Sequence, residues 1–231
     1  MSATEAAYQE QPGRHAAIAA VWASAAAAPG ATLVAADGCF DLIVRARRCG
    51  PTTAFVYTPA ARAHHALVEV GDRHVGVRLR PGFGAALVER PDLVRAAERL
   101  SVESPQDLEE LVANAVEAHP RQPGVVADFV LEARASTGAM RLTGISAARE
   151  RELQRACRRW LGLSPKAFLR IERVWAAREA IRGGGPLAMI AAELGYADQA
   201  HLAREVRELL GVTPRALRPV GILQDLTAPS R

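Results

Sequence analysis

The chain predicts an α+β protein: a small antiparallel β sandwich or barrel with helices at the N-terminus, followed by an all-α unit with two helix-turn-helix segments. Three observations carry this. Residues 32–81 hold several short runs rich in Val, Leu, Ile and Phe with no helical stretch between them, as in an antiparallel sheet. After Pro81-Gly82 the apolar side chains recur at spacings of three and four, the helical period. The last third then contains one local plan twice: an apolar-faced helix, a Gly, a hydroxyl residue and a Pro.

In chain order, residues 16–28 are Ala-rich. They lack the basic leader of a signal peptide and are interrupted by Trp22 and Ser24, so they are expected to form an amphipathic helix. Residues 32–36 form a short strand. A second strand, 40–45, is entered by the turn Asp37-Gly38, and a third, 54–58, is ended by Pro59. Residues 66–70 and 74–80, joined by the turn Gly71-Asp72, are expected to pair as a hairpin. Helices are expected at 84–89, 91–100 and 105–118, the last starting at Ser104-Pro105, a cap followed by Pro at the first helical position.

The C-terminal reading starts at Leu187. Leu187, Ile190, Ala191 and Leu194 share one helical face, and Gly195 follows where a helix stop needs positive φ. Asp198 stands where a second helix needs an acceptor for its first free N–H groups, and Leu202, Val206 and Leu209 repeat behind it. A short helix, a tight turn and a second helix with a polar, basic outer face are what a major-groove reader requires. Upstream, residues 152–165 parallel residues 201–214 position for position, with Ser164 and Thr213 as caps and Pro165 and Pro214 at the first helical positions. The connecting helix, residues 165–182, has Phe168, Ile171, Val174, Trp175 and Ile181 as its packing positions. At about 1.5 Å per residue it is about 27 Å long, against about 34 Å for one turn of B-DNA. The first copy departs from the plan: Ala147 occupies the turn-Gly position, Arg149 the N-cap, and Gly144 the interior of the leading helix, where it costs about 1 kcal/mol. The alternative is that Ser146 caps a longer helix running to Leu161 and the preceding helix is shortened.

Bulk properties bound the function. At 231 residues and 49% apolar content, one or two domains with a sizeable core are expected, and no run is long and apolar enough for a membrane span. From Gly144 to Pro219 there are 14 basic against 8 acidic residues, a net +6; the whole chain is +4, leaving −2 elsewhere. A basic C-terminal part beside a near-neutral remainder suits nucleic acid. Lys166 is the only lysine. Cys39, Cys49 and Cys157 contain no Cys-x-x-Cys pair, so no structural zinc is expected. Cys157 falls on a core position; Cys39 and Cys49 are read as ordinary thiols, with a redox pair as the alternative.

Two helix-turn-helix units joined by one helix, ending in Gly195-Tyr-Ala-Asp-Gln-Ala-His-Leu and the closing Gly-Val-Thr-Pro, resemble the DNA-binding domain of the AraC/XylS family of transcription regulators over Pro123 to Pro219. Asp37-Gly-Cys-Phe-Asp-Leu-Ile-Val and Val75-Gly-Val-Arg-Leu-Arg-Pro-Gly are similar to the shortened cupin-like sensor domain of one branch of that family. The resemblance implies a sensor or dimerisation domain with a helical tail at 1–120, a DNA-binding domain at 121–220 and a tail at 221–231. The implied function is sequence-specific DNA binding, controlled by a small-molecule effector or by dimerisation. Expected DNA contacts are Arg151, Gln154, Arg155 and Arg158 in the first unit and Gln199, His201, Arg204 and Arg207 in the second. Arg suits guanine and Gln adenine. The second unit, with its Gly turn and Asp cap, is expected to read bases, and the first to add general affinity. Trp22, Asp41, Arg45, Phe55 and Tyr57 are the expected effector-pocket residues, with simple core packing as the alternative. Promoter DNA, a small-molecule effector, RNA polymerase and a second copy of the chain are the expected partners, in the cytoplasm.

A metal-dependent cupin enzyme would use His64, His65, Glu69 or His74. Adjacent histidines on a strand point to opposite faces, and the His-x-His spacing such sites use is absent. No Ser/His/Asp arrangement or phosphate-binding Gly loop occurs. No enzyme activity, cofactor or metal is expected. The competing reading is a small-molecule-binding protein whose helical part has lost DNA reading.

Overall fold

The computed structural model of the chain describes residues 7–138 and 146–218. Its first half is a five-stranded antiparallel sheet in the order β1-β2-β7-β4-β5, accompanied by a two-stranded ribbon of β3 and β6. The strands are β1 (Ala7–Pro12), β2 (Ile18–Ala25), β3 (Gly30–Val34), β4 (Phe40–Ala46), β5 (Thr53–Tyr57), β6 (His64–Val68) and β7 (Arg73–Leu79). The fold is α+β, as the strand and helix patterns predict. One expectation fails at residues 16–28, which hold strand β2 rather than a helix. Alanine's helix propensity is worth only tenths of a kcal/mol per residue. The strand gains ladders with β1 on one side and β7 on the other, and a period-two split of its faces. A second expectation fails at the hairpin: β6 pairs with β3, and β7 pairs with β2 and β4. Val75, Val77 and Leu79 are buried, so β7 belongs in mid-sheet. The turn at Gly71-Asp72 is tied instead to the end of β2: Gly71 N–H donates to Ala26 O, and Ala26 N–H to Asp72 O, both at 2.9 Å.

One sheet face is covered by helices α1 (Ala85–Val88), α2 (Pro91–Ala97) and α3 (Pro105–Ala118). Val21, Leu42, Val44, Val75, Val77 and Leu79 meet Leu87, Leu93, Leu108 and Val112 there in one core. Each fully buried Leu or Val contributes about 2 kcal/mol. The buried Glu109 of α3 accepts from Arg14 N at 2.5 Å and Arg14 Nε at 2.7 Å, fastening the β1–β2 connection over that core.

The second half is helical: α4 (Gly124–Ala135), α5 (Ala147–Leu161), α6 (Pro165–Arg182), α7 (Leu187–Glu193), α8 (Gln199–Leu210) and α9 (Pro214–Leu217). The 18-residue α6 is the hub, and all five of its predicted packing positions are buried. Its core extends to Leu153, Cys157, Trp160, Leu202, Val206 and Leu209. No helix among the described residues is long and apolar enough to cross a membrane.

The internal repeat runs at an offset of 49 positions, Leu153 to Leu202. Gly162 and Gly211 both end their helices in the left-handed region, at φ 68° and 75°. A residue with a Cβ pays about 1 kcal/mol or more there. Ser164 and Thr213 then accept from Ala167 N and Ala216 N to start α6 and α9. The copies differ at their starts. Arg149 is not the N-cap of α5; Ser146 is, accepting from Arg149 N at 3.3 Å. The helix therefore begins three residues earlier than its counterpart, because the acceptor does. The positions expected to form the leading helix of the first unit, Gly144 among them, lie outside the described residues.

Candidate nucleic-acid interface and sheet face

The second unit is built as its sequence implies. α7 stops before Gly195, at φ 71°, and Asp198 caps α8 by accepting from His201 N at 2.6 Å. Leu202, Val206 and Leu209 pin the inner face of α8 to the core. Tyr196, in the turn, is buried beneath the Arg173 guanidinium, 5.4 Å above its ring, and meets the His201 ring edge-on at 5.3 Å. Burial pushes the Tyr196 phenol up. His201 Nδ1 accepts from Ala197 N at 3.4 Å.

Gln199, Arg204 and Arg207 are exposed on the outer face of α8, with His201 half-buried beside them. On α5, Arg151, Arg155 and Arg158 form an exposed stripe at helical spacing, and the half-buried Gln154 donates to Glu150 Oε1 at 3.2 Å. Arg155 and Arg158 are the repeat equivalents of Arg204 and Arg207. None of these four arginines has an ion-pair partner among the described residues. Arg159 differs: it holds Glu89, at the end of α1, through two hydrogen bonds of 2.8 and 3.1 Å. Glu89 also meets His119 Nε2 at 3.2 Å, and its carboxyl is pulled below the usual range by Arg159. Sequence reasoning missed Lys166 and Arg215, exposed at equivalent positions just inside the starts of α6 and α9. The repeat itself was the signal. The positive charge of Lys166 and Arg215 at an exposed position suits a phosphate.

The second region is the sheet face away from α1–α3. Register places three cross-strand rows on it: Ser24–His74–Arg45–Thr53, Trp22–Gly76–Ile43–Phe55, and Ala20–Arg78–Asp41–Tyr57. Successive rows are about 7 Å apart. All five expected pocket residues therefore share one face, although Phe55 is exposed and Asp41 buried. Gly76 is required by close approach, since a Cβ there would lie 2.2 Å from the Trp22 indole. The indole lies across β7, stacks on Tyr8 at 5.8 Å and donates to Asp41 Oδ1 at 2.7 Å. Arg78 stands between three carboxylates: Asp37 and Asp41 at 3.3 Å and Glu10 at 3.4 Å. Burial pushes the Asp37 carboxyl up to about 6 against the pull of Arg78, with Asp41 adding to the rise. Tyr57 is pushed up to about 12 by burial and stacks on His64 at 5.7 Å. In the first row Arg45 Nε and Thr53 Oγ1 are buried without a hydrogen-bond partner, and burial lowers the His74 imidazole. Arg78 and Asp37 were not singled out from sequence. The available signal was a charge alternating with Val75, Val77 and Leu79, which aims it at the opposite face.

His64 is half-buried against Tyr57, whereas His65 is exposed, as the strand alternation requires. Among the described residues no three His, Cys, Asp or Glu side chains gather as metal ligands would. All three cysteines are free; Cys39 and Cys157 are buried and Cys49 is exposed. Burial pushes the Cys157 thiol up to about 12.

Residues 142–219 match the family described as "Helix-turn-helix domain". No curated protein matches the chain. Two crystal structures of ToxT from Vibrio cholerae align with 91% of the chain and with 96% and 97% of their own, at 10% and 9% identity and a TM-score of 0.42 in both cases.

Proposed function

We propose, from the match of residues 142–219 to the helix-turn-helix family, that the chain is a DNA-binding transcription regulator of the AraC type, and that α5 and α8 enter successive major grooves on one face of promoter DNA. One observation carries this. Two capped helices, tied by the 18-residue α6, present unpaired arginines at repeat-equivalent positions. Gln199, His201, Arg204 and Arg207 face one groove, and Arg151, Gln154, Arg155 and Arg158 the other. Ser146 gives α5 a cap of its own, as Asp198 does for α8. α8 is expected to read more of the bases and α5 to add more of the general affinity. Lys166 and Arg215 take phosphates.

The regulatory half is residues 1–120 and the DNA-binding half 121–220, with 221–231 as a tail. A small-molecule effector sits on the sheet face over Trp22, Asp41, Arg45, Phe55 and Tyr57. The two unpaired buried polar atoms of the Arg45–Thr53 row and the convergence of these side chains support this placement. Work on promoter DNA places the protein in the cytoplasm, beside RNA polymerase, and pairing of two copies supplies two adjacent sites.

The test is a titration of the full chain with DNA from upstream of its own coding sequence, against shuffled DNA of equal length. Expected is preferential binding that weakens steeply with salt, because neutralised phosphates release counterions. Equal, salt-insensitive binding to both DNAs would defeat the proposal.

A further inference from the structure

The segment between β3 and β4, residues 35–39, touches both regions within three consecutive residues. On the sheet side, Asp37 faces Arg78 Nε at 3.3 Å, while its Oδ1 accepts from Cys39 N at 2.9 Å. On the helical side, Ala36 is fully buried in the α4–α9 core. Its N–H donates to Leu209 O, in the last turn of α8, at 2.8 Å. Its C=O accepts from Trp175 Nε1 of α6, also at 2.8 Å. Gly38 lies against Phe168 and Ile171 of the same helix, where a Cβ would be 3.4 Å from the Phe168 ring. A shift of Asp37 along the sheet therefore cannot leave Ala36 and Gly38 in place, because two peptide units span the three residues.

We infer that residues 35–39 are a coupling segment, through which the state of the Arg78 carboxylate cluster sets how α8 is held against α6. Arg78 is shared by Asp37, Asp41 and Glu10, and of these only Asp37 lies on the segment that grips the helices. A ligand group that separates Asp37 from Arg78 removes the charge tie between sheet and segment. The two hydrogen bonds of Ala36 then carry the change to Trp175 and to the last turn of α8. Asp37 is thus a positioning residue. The inference rests on the DNA-binding reading of α8 for its consequence, but not for the coupling itself.

The experiment uses the full chain and two readouts: the indole N–H resonance of Trp175, and affinity for the upstream DNA. Asp37→Asn is expected to shift the Trp175 resonance and to change affinity at least threefold. Glu10→Gln also removes a carboxylate from Arg78, but on β1, away from the segment. It is expected to leave the resonance in place and affinity within twofold. Trp175→Phe deletes the indole donor without touching the sheet, and is expected to change affinity as Asp37→Asn does. The double variant is expected to match the single ones, since both break one linkage. An unmoved Trp175 resonance with unchanged affinity in Asp37→Asn overturns the inference, as does simple addition of the two affinity changes. Should Asp37→Asn fail to fold, a wild-type affinity in Trp175→Phe overturns it. If the wild-type chain binds no DNA, the DNA reading fails, and the Trp175 resonance in Asp37→Asn still decides the coupling.

Discussion

Replacing Arg155 and Arg204 by Ala, singly and together, probes the reading of the helical half most directly. Both side chains are exposed on outer helix faces and neither has an ion-pair partner among the described residues, so their loss is expected to leave folding stability within about 0.5 kcal/mol. Whatever binding is lost is then a lost DNA contact. Each arginine to a base edge is worth about 1–3 kcal/mol, or roughly 5- to 150-fold. Each phosphate contact removed lowers the salt slope by about 0.9. The two lie on different helices connected by the 18-residue α6, so their effects are expected to add within about 0.5 kcal/mol. Arg159→Ala is the internal comparison. That side chain is occupied by Glu89 in an exposed, solvent-screened pair, and its loss is expected to change DNA affinity little. Fluorescence anisotropy with cognate and shuffled DNA, at several salt concentrations, measures the four variants and the wild type. The reasoning is refuted if the Arg155 and Arg204 variants keep wild-type affinity and salt slope, or if Arg159→Ala costs as much as either.

Three further outcomes are expected. Ser146→Ala and Asp198→Ala each remove an N-cap acceptor and should cost about 1 kcal/mol, lowering the melting temperature by about 2–4 °C; if Ser146→Ala is silent and Arg149→Ala is not, the start of α5 is misassigned. Gly76→Ala puts a Cβ 2.2 Å from the Trp22 ring, so it should destabilise by about 1–3 kcal/mol and change indole fluorescence; an unaltered spectrum would show that Trp22 does not lie over β7. Asp37, raised by burial from 3.8 to about 6, binds a proton in the folded state at pH values where the unfolded chain has lost it, so its contribution to stability falls as pH rises between about 4 and 6, by about 3 kcal/mol. Arg78, Asp41, Glu10, Cys39 and Tyr57 surround it, and Asp37→Asn keeps all of them; urea unfolding of the two proteins across that window should diverge, and parallel curves would refute the assignment.

What was legible in the sequence was what is encoded locally. Caps, stops and apolar spacing act within one or two turns, and α6, α7, α8 and α9 fall where Ser164, Gly195, Asp198, Gly211 and Thr213 place them. Ser146 obeys the same rule: of the two readings of this helix, the one in which Ser146 caps a helix running to Leu161 is the one observed, and the one that follows the repeat alignment to Arg149 is not. Sheet pairing is not local. Nothing within residues 66–80 says that β6 will pair with β3, some 30 positions earlier, while β7 inserts between β2 and β4. Strand β2 was hidden for the same reason, since its alanines acquire strand geometry only between two partners. The pocket residues were found as isolated types, yet they converge because the strand period puts Trp22, Asp41, Arg45, Phe55 and Tyr57 on one face. Arg78 and Asp37 escaped because their meaning lies in their mutual distance.

The same glycines that end α5 and α8 also decide how the two halves of the molecule meet. A Cβ on Gly162 would lie 2.7 Å from the Phe40 ring and 3.1 Å from Pro59; one on Gly211 would lie 2.5 Å from Leu33 and 3.2 Å from Ala63. Both helix ends are thus pressed against the β-rich half at points where only hydrogen fits. Around the second contact backbone hydrogen bonds reinforce the seat: the Ala36 and Ala63 N–H groups donate to the Leu209 and Glu208 carbonyls of α8. The last carbonyls of α8, which lack partners within their own helix, are therefore satisfied by the sheet half. A linking helix alone would leave the two DNA-facing helices to turn about its axis. Seating one C-terminal end against β4 and the other against the β3–β6 ribbon of the same half removes that freedom. Their spacing and relative rotation, the quantities that two successive grooves would measure, are held by the same half that carries the Arg78 cluster.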